Sequence, residues 1–227
     1  MIDQPPVRDA TETRLRRAYG FEEVALVPGA VTADPAEVEL ATDLGGFRLE
    51  IPFLAAAMDA VSDAGFAVRL SRHGGVAFVN LEGLYTRYED AAPIIEQVAA
   101  AESGREAAHI LATAYEQPVR DELISAVIRR IKAQGAVAAV ATTPASAWHH
   151  AELAAEAGAD LFLVQSQVSS ARHISTSTRV LSLSDLTGAL KLPVLVGNTV
   201  SGEAAYQLMH QGAAAIFVTD KGLVKAP

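Results

Sequence analysis

Seven residues stand where short apolar runs give way to polar chain: Met58, Asp59, Asn80, Glu82, Gln165, Ser166 and Asn198. Their amides, hydroxyls and carboxylates could hold a polar ligand by hydrogen bonds. Each also has a purely structural reading. Met58 could be a buried side chain and Asp59 the cap of a following helix, with Asn198 a strand-end turn residue and Gln165 a polar rim residue. His149 and His150 are adjacent on a predicted helix, so they point about 100° apart. They cannot share a metal as an i, i+4 pair would, and they read as surface or boundary residues. Arg172 and His173 could meet a phosphate but read first as surface loop. No His, Asp and Glu cluster has metal-ligand spacing. The 227 residues include no cysteine, which excludes disulfides, thiolate metal sites and cysteine nucleophiles from this polypeptide.

The elements that must carry these residues repeat one phrase: an apolar run, a polar turn, a helical segment. The runs are Pro52–Met58, Gly75–Asn80, Ala136–Thr142, Leu161–Gln165, Pro193–Asn198 and Ala214–Thr219. Nearly continuous Val, Leu, Ile, Phe and Ala mark strands buried on both faces, as in a parallel sheet covered by helices. Between them, Leu123, Ile124, Val127, Ile128 and Ile131 fall at helical spacing after Pro118, with Gly135 as the stop. Thr143-Pro144 is expected to start the next helix and Gly158 to end it. Ser201 is expected to cap a further helix that Gly212 stops.

This alternation predicts right-handed βαβ units. Periodicity leaves an open doubly wound sheet and a closed barrel both in play. The first strand runs into Met58-Asp59-Ala60-Val61 with no G-x-G-x-x-G, which leans toward the barrel. Residues 1–44 read as an N-terminal extension packed on a domain of residues 45–227. A short strand and turn are expected at Glu23–Gly29, an exposed strand at Val38–Ala41 and a loop at Glu102–Glu106.

Half of the residues are hydrophobic and 20% charged, which argues for an ordered globular chain. The net charge of -9, without a basic stripe, argues against nucleic-acid partners and anionic membranes. With neither a signal-like N-terminus nor a long apolar run, a soluble cytoplasmic protein is expected.

Several phrases together resemble the IMP dehydrogenase/GMP reductase family, most closely its branch labelled IMP dehydrogenase-related protein. They are Tyr19-Gly20-Phe21-Glu22-Glu23-Val24-Ala25-Leu26-Val27-Pro28-Gly29, Ile51 to Asp59, Gly74 to Gly83, Thr86-Arg87-Tyr88-Glu89-Asp90, Gly158 to Ser166, Ser170-Ala171-Arg172-His173 and Val196 to Val200. The resemblance implies a (β/α)8 TIM barrel with its active site at the C-terminal ends of the strands. It implies a purine nucleoside monophosphate (IMP or GMP) as substrate, NAD or NADP(H) as cofactor, and a homotetramer. Met58 would lie against the purine and Asp59 at the mouth, with Asn198 near the substrate. Gln165 and Ser166 would meet the cofactor. Dehydrogenases of the family carry an Asp at the Gln165 position, so Gln keeps hydrogen bonding without the charge. A serine often found two positions before the Met is Ala56 here, which removes one phosphate donor. The interval from Gly83 to Ala136 has room for a helix and its loops, not for the family's regulatory insertion.

In this family a cysteine thiolate attacks the purine, from a Gly-Pro-Gly loop after the sixth strand that also helps hold the phosphate and a monovalent cation. Here the chain runs instead into Thr219-Asp220-Lys221-Gly222-Leu223-Val224-Lys225-Ala226-Pro227. The expectation is an incomplete barrel of six strand–helix units with no catalytic cysteine and the cation site lost, inactive by itself. A truncated or frame-shifted gene is favoured over a naturally shortened relative. The leading function is oxidoreductase, leaning toward GMP reductase with NADPH. The alternative is a catalytically dead nucleotide-binding or scaffolding paralogue. An unrelated phosphate-sugar barrel enzyme is disfavoured by the lack of a glycine-rich phosphate loop.

Overall fold

Each of the six apolar runs forms a strand in the computed structural model, which describes residues 21–170 and 180–218. A hairpin comes first, β1 (Thr42–Leu44) and β2 (Phe47–Leu49). The main sheet follows in chain order: β3 (Leu54–Ala55), β4 (Val76–Asn80), β5 (Ala139–Thr142), β6 (Leu161–Gln165), β7 (Val194–Thr199) and β8 (Ala215–Val218). Neighbours pair in parallel throughout. The helices are α1 (Ala64–Arg72), α2 (Ala92–Ala100), α3 (Gly104–Ala114), α4 (Asp121–Lys132), α5 (Ala147–Ala157), α6 (Leu183–Ala189) and α7 (Gly202–His210).

The sheet is curled. Four inter-strand steps separate β4 from β8, roughly 19 Å across a flat sheet. Yet the rings of Phe78 on β4 and Phe217 on β8 meet edge-on, centroids 5.8 Å apart. Only a sheet bent around a common interior brings them together. Alternate residues of the strands fill that interior: Val76 and Phe78, Ala139 and Ala141, Leu161 and Leu163, Leu195, then Ala215 and Phe217. Their neighbours point outward and pack under the helices, among them Val79, Val140, Phe162, Val164 and Val196. This is the expected (β/α)8 barrel geometry, with six of its strands present.

Local signals explain most of the elements. On α4, Ile124, Val127, Ile128 and Ile131 are buried, each worth roughly 1.5–3 kcal/mol. Gly158 takes the left-handed cap of α5, at φ 86°. Ser201 accepts the Ala204 N–H and starts α7.

Four local expectations are corrected. Glu23–Gly29 forms no strand, because Val24, Leu26 and Val27 lie exposed and pair with no strand among the described residues. The strand expected at Val38–Ala41 begins instead at Thr42. A tight turn with positive φ at both Gly45 and Gly46 pairs Thr42 with Leu49 and so sets the register. Glu102–Glu106 is not a loop: Ser103 caps α3 through the Glu106 N–H, and the Glu106 carboxylate accepts the Glu102 N–H in return. Finally, α5 starts at Ala147 rather than at Pro144, since Thr143 is held elsewhere.

The hairpin plugs the N-terminal end of the interior. Leu49 is 2% exposed there, with Phe47 and Leu44 beside it. Its turn rests on the far side of the sheet, where a Cβ on Gly45 would come within 2.7 Å of Pro193. Replacing Leu49 by Ala is expected to lower the unfolding free energy by about 2–5 kcal/mol in urea titrations. Leu40→Ala, at an exposed position before the hairpin, should change it by less than about 0.5 kcal/mol.

Candidate functional site

The strand ends at the C-terminal side of the sheet surround two adjoining recesses. The first, about 300 Å3, is lined by Asn80, Thr142, Thr143, Gln165, Ser166 and Asn198, among others. The second, about 360 Å3, lies beside β3 under the α2–α3 pair. Met58, Asp59 and Tyr115 line it together with the apolar side chains of Leu84, Ile95, Val98 and Leu111. Ala57 and Asn80 belong to both.

Gln165, Ser166 and Asn198 are therefore brought together. The ends of β6 and β7 are tied beyond their ladder: Ser166 N–H donates to the Gly197 carbonyl at 2.8 Å, and Asn198 N–H to the Ser166 carbonyl at 3.1 Å. The Ser169 hydroxyl donates to the Gly197 carbonyl at 2.5 Å. Gly197 itself has no room for a side chain, since its Cβ would sit 2.5 Å from the Cβ of Phe217. The close approach of β8 at position 217 thus requires the glycine preceding Asn198.

Met58 and Asp59 sit in the other recess and part company there. Met58 is 56% exposed at the mouth. The Asp59 carboxylate is turned to protein partners: Oδ2 accepts the Leu84 N–H at 2.8 Å and the Tyr115 hydroxyl at 2.5 Å. Oδ1 is buried without a hydrogen-bond partner and lies where a Cβ on Gly83 would fall. Burial, and then the Asp59 carboxylate, push the Tyr115 phenol well above its usual range. Arg87 stacks on the Tyr115 ring at 5.0 Å and donates to the Glu82, Tyr115 and Gln117 carbonyls, fastening this corner.

Sequence reasoning underrated one cluster. Glu82, just past β4, accepts from the Thr142 and Thr143 hydroxyls at 2.8 Å each and from the Thr143 N–H at 3.0 Å. Thr142 Oγ1 lies 2.7 Å from His150 Nδ1. His150 is not a surface or boundary residue; it is 4% exposed, while His149 faces out and pairs with Asp121. Burial works to raise the Glu82 pKa, but the bonds from Thr143 N–H and from the hydroxyls of Thr142, Thr143 and Ser146 together hold it below the usual carboxylate range. Burial pushes the His150 imidazole down, against the pull of Glu82. Nothing local announces this cluster, because its members meet only when β4, β5 and α5 are assembled. Among the described residues, no three His, Asp or Glu side chains are grouped to hold a metal. Arg172, His173 and the segment from Thr219 lie outside the described residues.

Residues 18–219 match the family model described as IMP dehydrogenase / GMP reductase domain. The chain belongs to the IMP dehydrogenase/GMP reductase family. An uncharacterized oxidoreductase of Mycobacterium tuberculosis is 31% identical over 207 residues, covering 89% of this chain and 55% of that protein. The inosine-5'-monophosphate dehydrogenase of Methanocaldococcus jannaschii is 40% identical over 65 residues, 29% of this chain and 13% of that enzyme. A crystal structure of an IMP dehydrogenase/GMP reductase-like protein from Corynebacterium glutamicum superposes with a TM-score of 0.84 at 28% identity, over 90% of this chain and 55% of that one. The chain thus spans about half the length of the full-coverage relatives it matches.

The buried cluster gives a signed pH dependence. His150 has a folded pKa below its ordinary 6.5, so the unfolded chain binds the extra proton. Its contribution to stability is present above pH 6.5 and lost as pH falls from there through the folded value. Glu82, lowered from 4.5, adds a second loss below pH 4.5. Urea midpoints measured from pH 7.5 downward should show both declines. His150→Gln should remove the upper one and leave the lower.

Proposed function

We propose that this chain carries the nucleotide-binding half of an NAD(P)-linked oxidoreductase acting on a purine nucleoside monophosphate, IMP or GMP. One observation carries the reading beyond family membership. Gln165, Ser166 and Asn198 converge with Asn80 and Thr143 on one recess at the strand ends, where this fold places its active sites. The donor set fits the neutral part of a nicotinamide nucleotide, because amides and hydroxyls line the recess and, among the described residues, no Lys, Arg or His does. When bound, the nicotinamide supplies the hydride acceptor or donor. Gln165 and Ser166 bind its ribose and carboxamide end, and Asn198 orients the substrate beside it. Met58 provides apolar contact for the purine. Asp59, engaged with Leu84 and Tyr115, acts on substrate only by holding the Met58 loop in place. Residues 1–44 form an extension to this unit, and 45–227 its barrel part without a regulatory insertion.

The 227 residues contain no thiol, so turnover that depends on a cysteine adduct is not expected from this polypeptide. Absorbance assays of NAD reduction with IMP and of NADPH oxidation with GMP should show no rate above the protein-free control. Calorimetry should nonetheless register binding of a nicotinamide nucleotide. Turnover by the chain alone would overturn the proposed division of labour, and absence of any nucleotide binding would overturn the functional reading.

A second reading, association with further copies or with full-length relatives, has its own observation. Among the described residues, Tyr206 and Met209 on α7 and Val218 on β8 are 64%, 56% and 62% exposed. Light scattering is expected to give a mass above the 23.8 kDa of one chain.

A further inference from the structure

Glu82 Oε1 accepts three hydrogen bonds at once, from Thr142 Oγ1, Thr143 Oγ1 and Thr143 N. A threonine hydroxyl has one proton to give. Thr142 Oγ1 also touches His150 Nδ1, so its proton must go to one neighbour or the other. Hydrogen bonds to an ion are roughly twice as strong as neutral ones, and Glu82 is the ion. The Thr142 proton therefore goes to Glu82, and His150 must carry its own proton on Nδ1 and donate it to Thr142 Oγ1. The hydrogen bond at one ring nitrogen fixes the tautomer of the whole imidazole.

The same logic fixes Thr143, whose hydroxyl proton also goes to Glu82. What Thr143 has left is lone pairs, and it lines the recess beside Asn80, Gln165, Ser166 and Asn198. We propose that Glu82 is a positioning residue that sets the hydrogen-bond polarity of this recess. It makes Thr143 an acceptor in the recess, so the ligand group that meets Thr143 must donate, as a ribose hydroxyl can and an ionised phosphate oxygen cannot. This deepens the nucleotide reading above and rests on it for the choice of probe, though not for the polarity of the cluster.

The test uses the full chain and two readouts. Nitrogen-15 NMR of the histidine rings should show His150 as the Nδ1–H tautomer. Glu82→Leu frees the Thr142 proton to turn toward His150 and should convert the ring to Nε2–H. Glu82→Gln keeps an acceptor oxygen and should preserve Nδ1–H. If Glu82→Leu does not fold, Thr142→Val removes the acceptor for Nδ1–H and should give the same conversion. In parallel, chemical-shift titrations compare nicotinamide riboside with its 2′,3′-dideoxy analogue. Glu82→Leu should weaken riboside binding about ten-fold, the scale of one hydrogen bond to a charge-supported acceptor, and leave the dideoxy analogue unchanged. An Nε2–H ring in the unaltered chain, or a tautomer indifferent to Glu82→Leu, overturns the proposed role of Glu82. An Nδ1–H ring in a chain that binds neither probe upholds that role and overturns the nicotinamide reading of the recess.

Discussion

The contact of Phe217 with Phe78 across the interior is the interaction on which the rest of the architecture depends. A parallel sheet buries both faces, and helices can cover only one of them if the sheet closes on itself. The other face must then be filled by its own side chains. Small residues at Ala139 and Ala141 and large ones at Phe78, Leu161, Leu163 and Phe217 share that space. A second condition meets it at the same residue: β8 comes so close to β7 that a Cβ at position 197 would collide with the Cβ of Phe217, so position 197 is glycine. The backbone on either side of that glycine is what joins Ser166 to Asn198. Core packing and site geometry thus meet at one residue of β8.

A second set of constraints lies around the mouth. Two carboxylates that look alike in sequence, each just beyond a strand, behave differently once placed. Asp59 is consumed by structure, clamped between Leu84 and Tyr115 and pressed against Gly83. Glu82 is held by hydrogen bonds as well, but Thr142 and Thr143, which donate to it, line the recess. The difference is in what stands behind the hydrogen bond and not in the residue type.

That contrast marks how far the sequence could be read. The six strands were legible because runs buried on both faces carry no polar interruption, and α4, α5 and α7 were legible from periodicity and caps. β3 came out shorter than its apolar run, since an edge strand has a ladder on one side only. The strand expected at Val38–Ala41 lies at Thr42–Leu44 instead, because two glycines, and not the alternation of the residues before them, decide the register of the hairpin. Strand-end residues fell at the recesses because strand order alone puts them there. The direction of the Asp59 carboxylate and the burial of His150 depend on contacts between segments far apart in the chain. No local pattern encodes them.

The plug formed by Leu44, Phe47 and Leu49 has a consequence in time. It is made early in synthesis, yet Gly45 rests on Pro193 and Leu49 packs among strands that emerge much later. The hairpin can form at once, whereas its docking surface is complete only after β7 and β8 have left the ribosome. Until then a few apolar side chains wait without cover, and strands made late settle one made early.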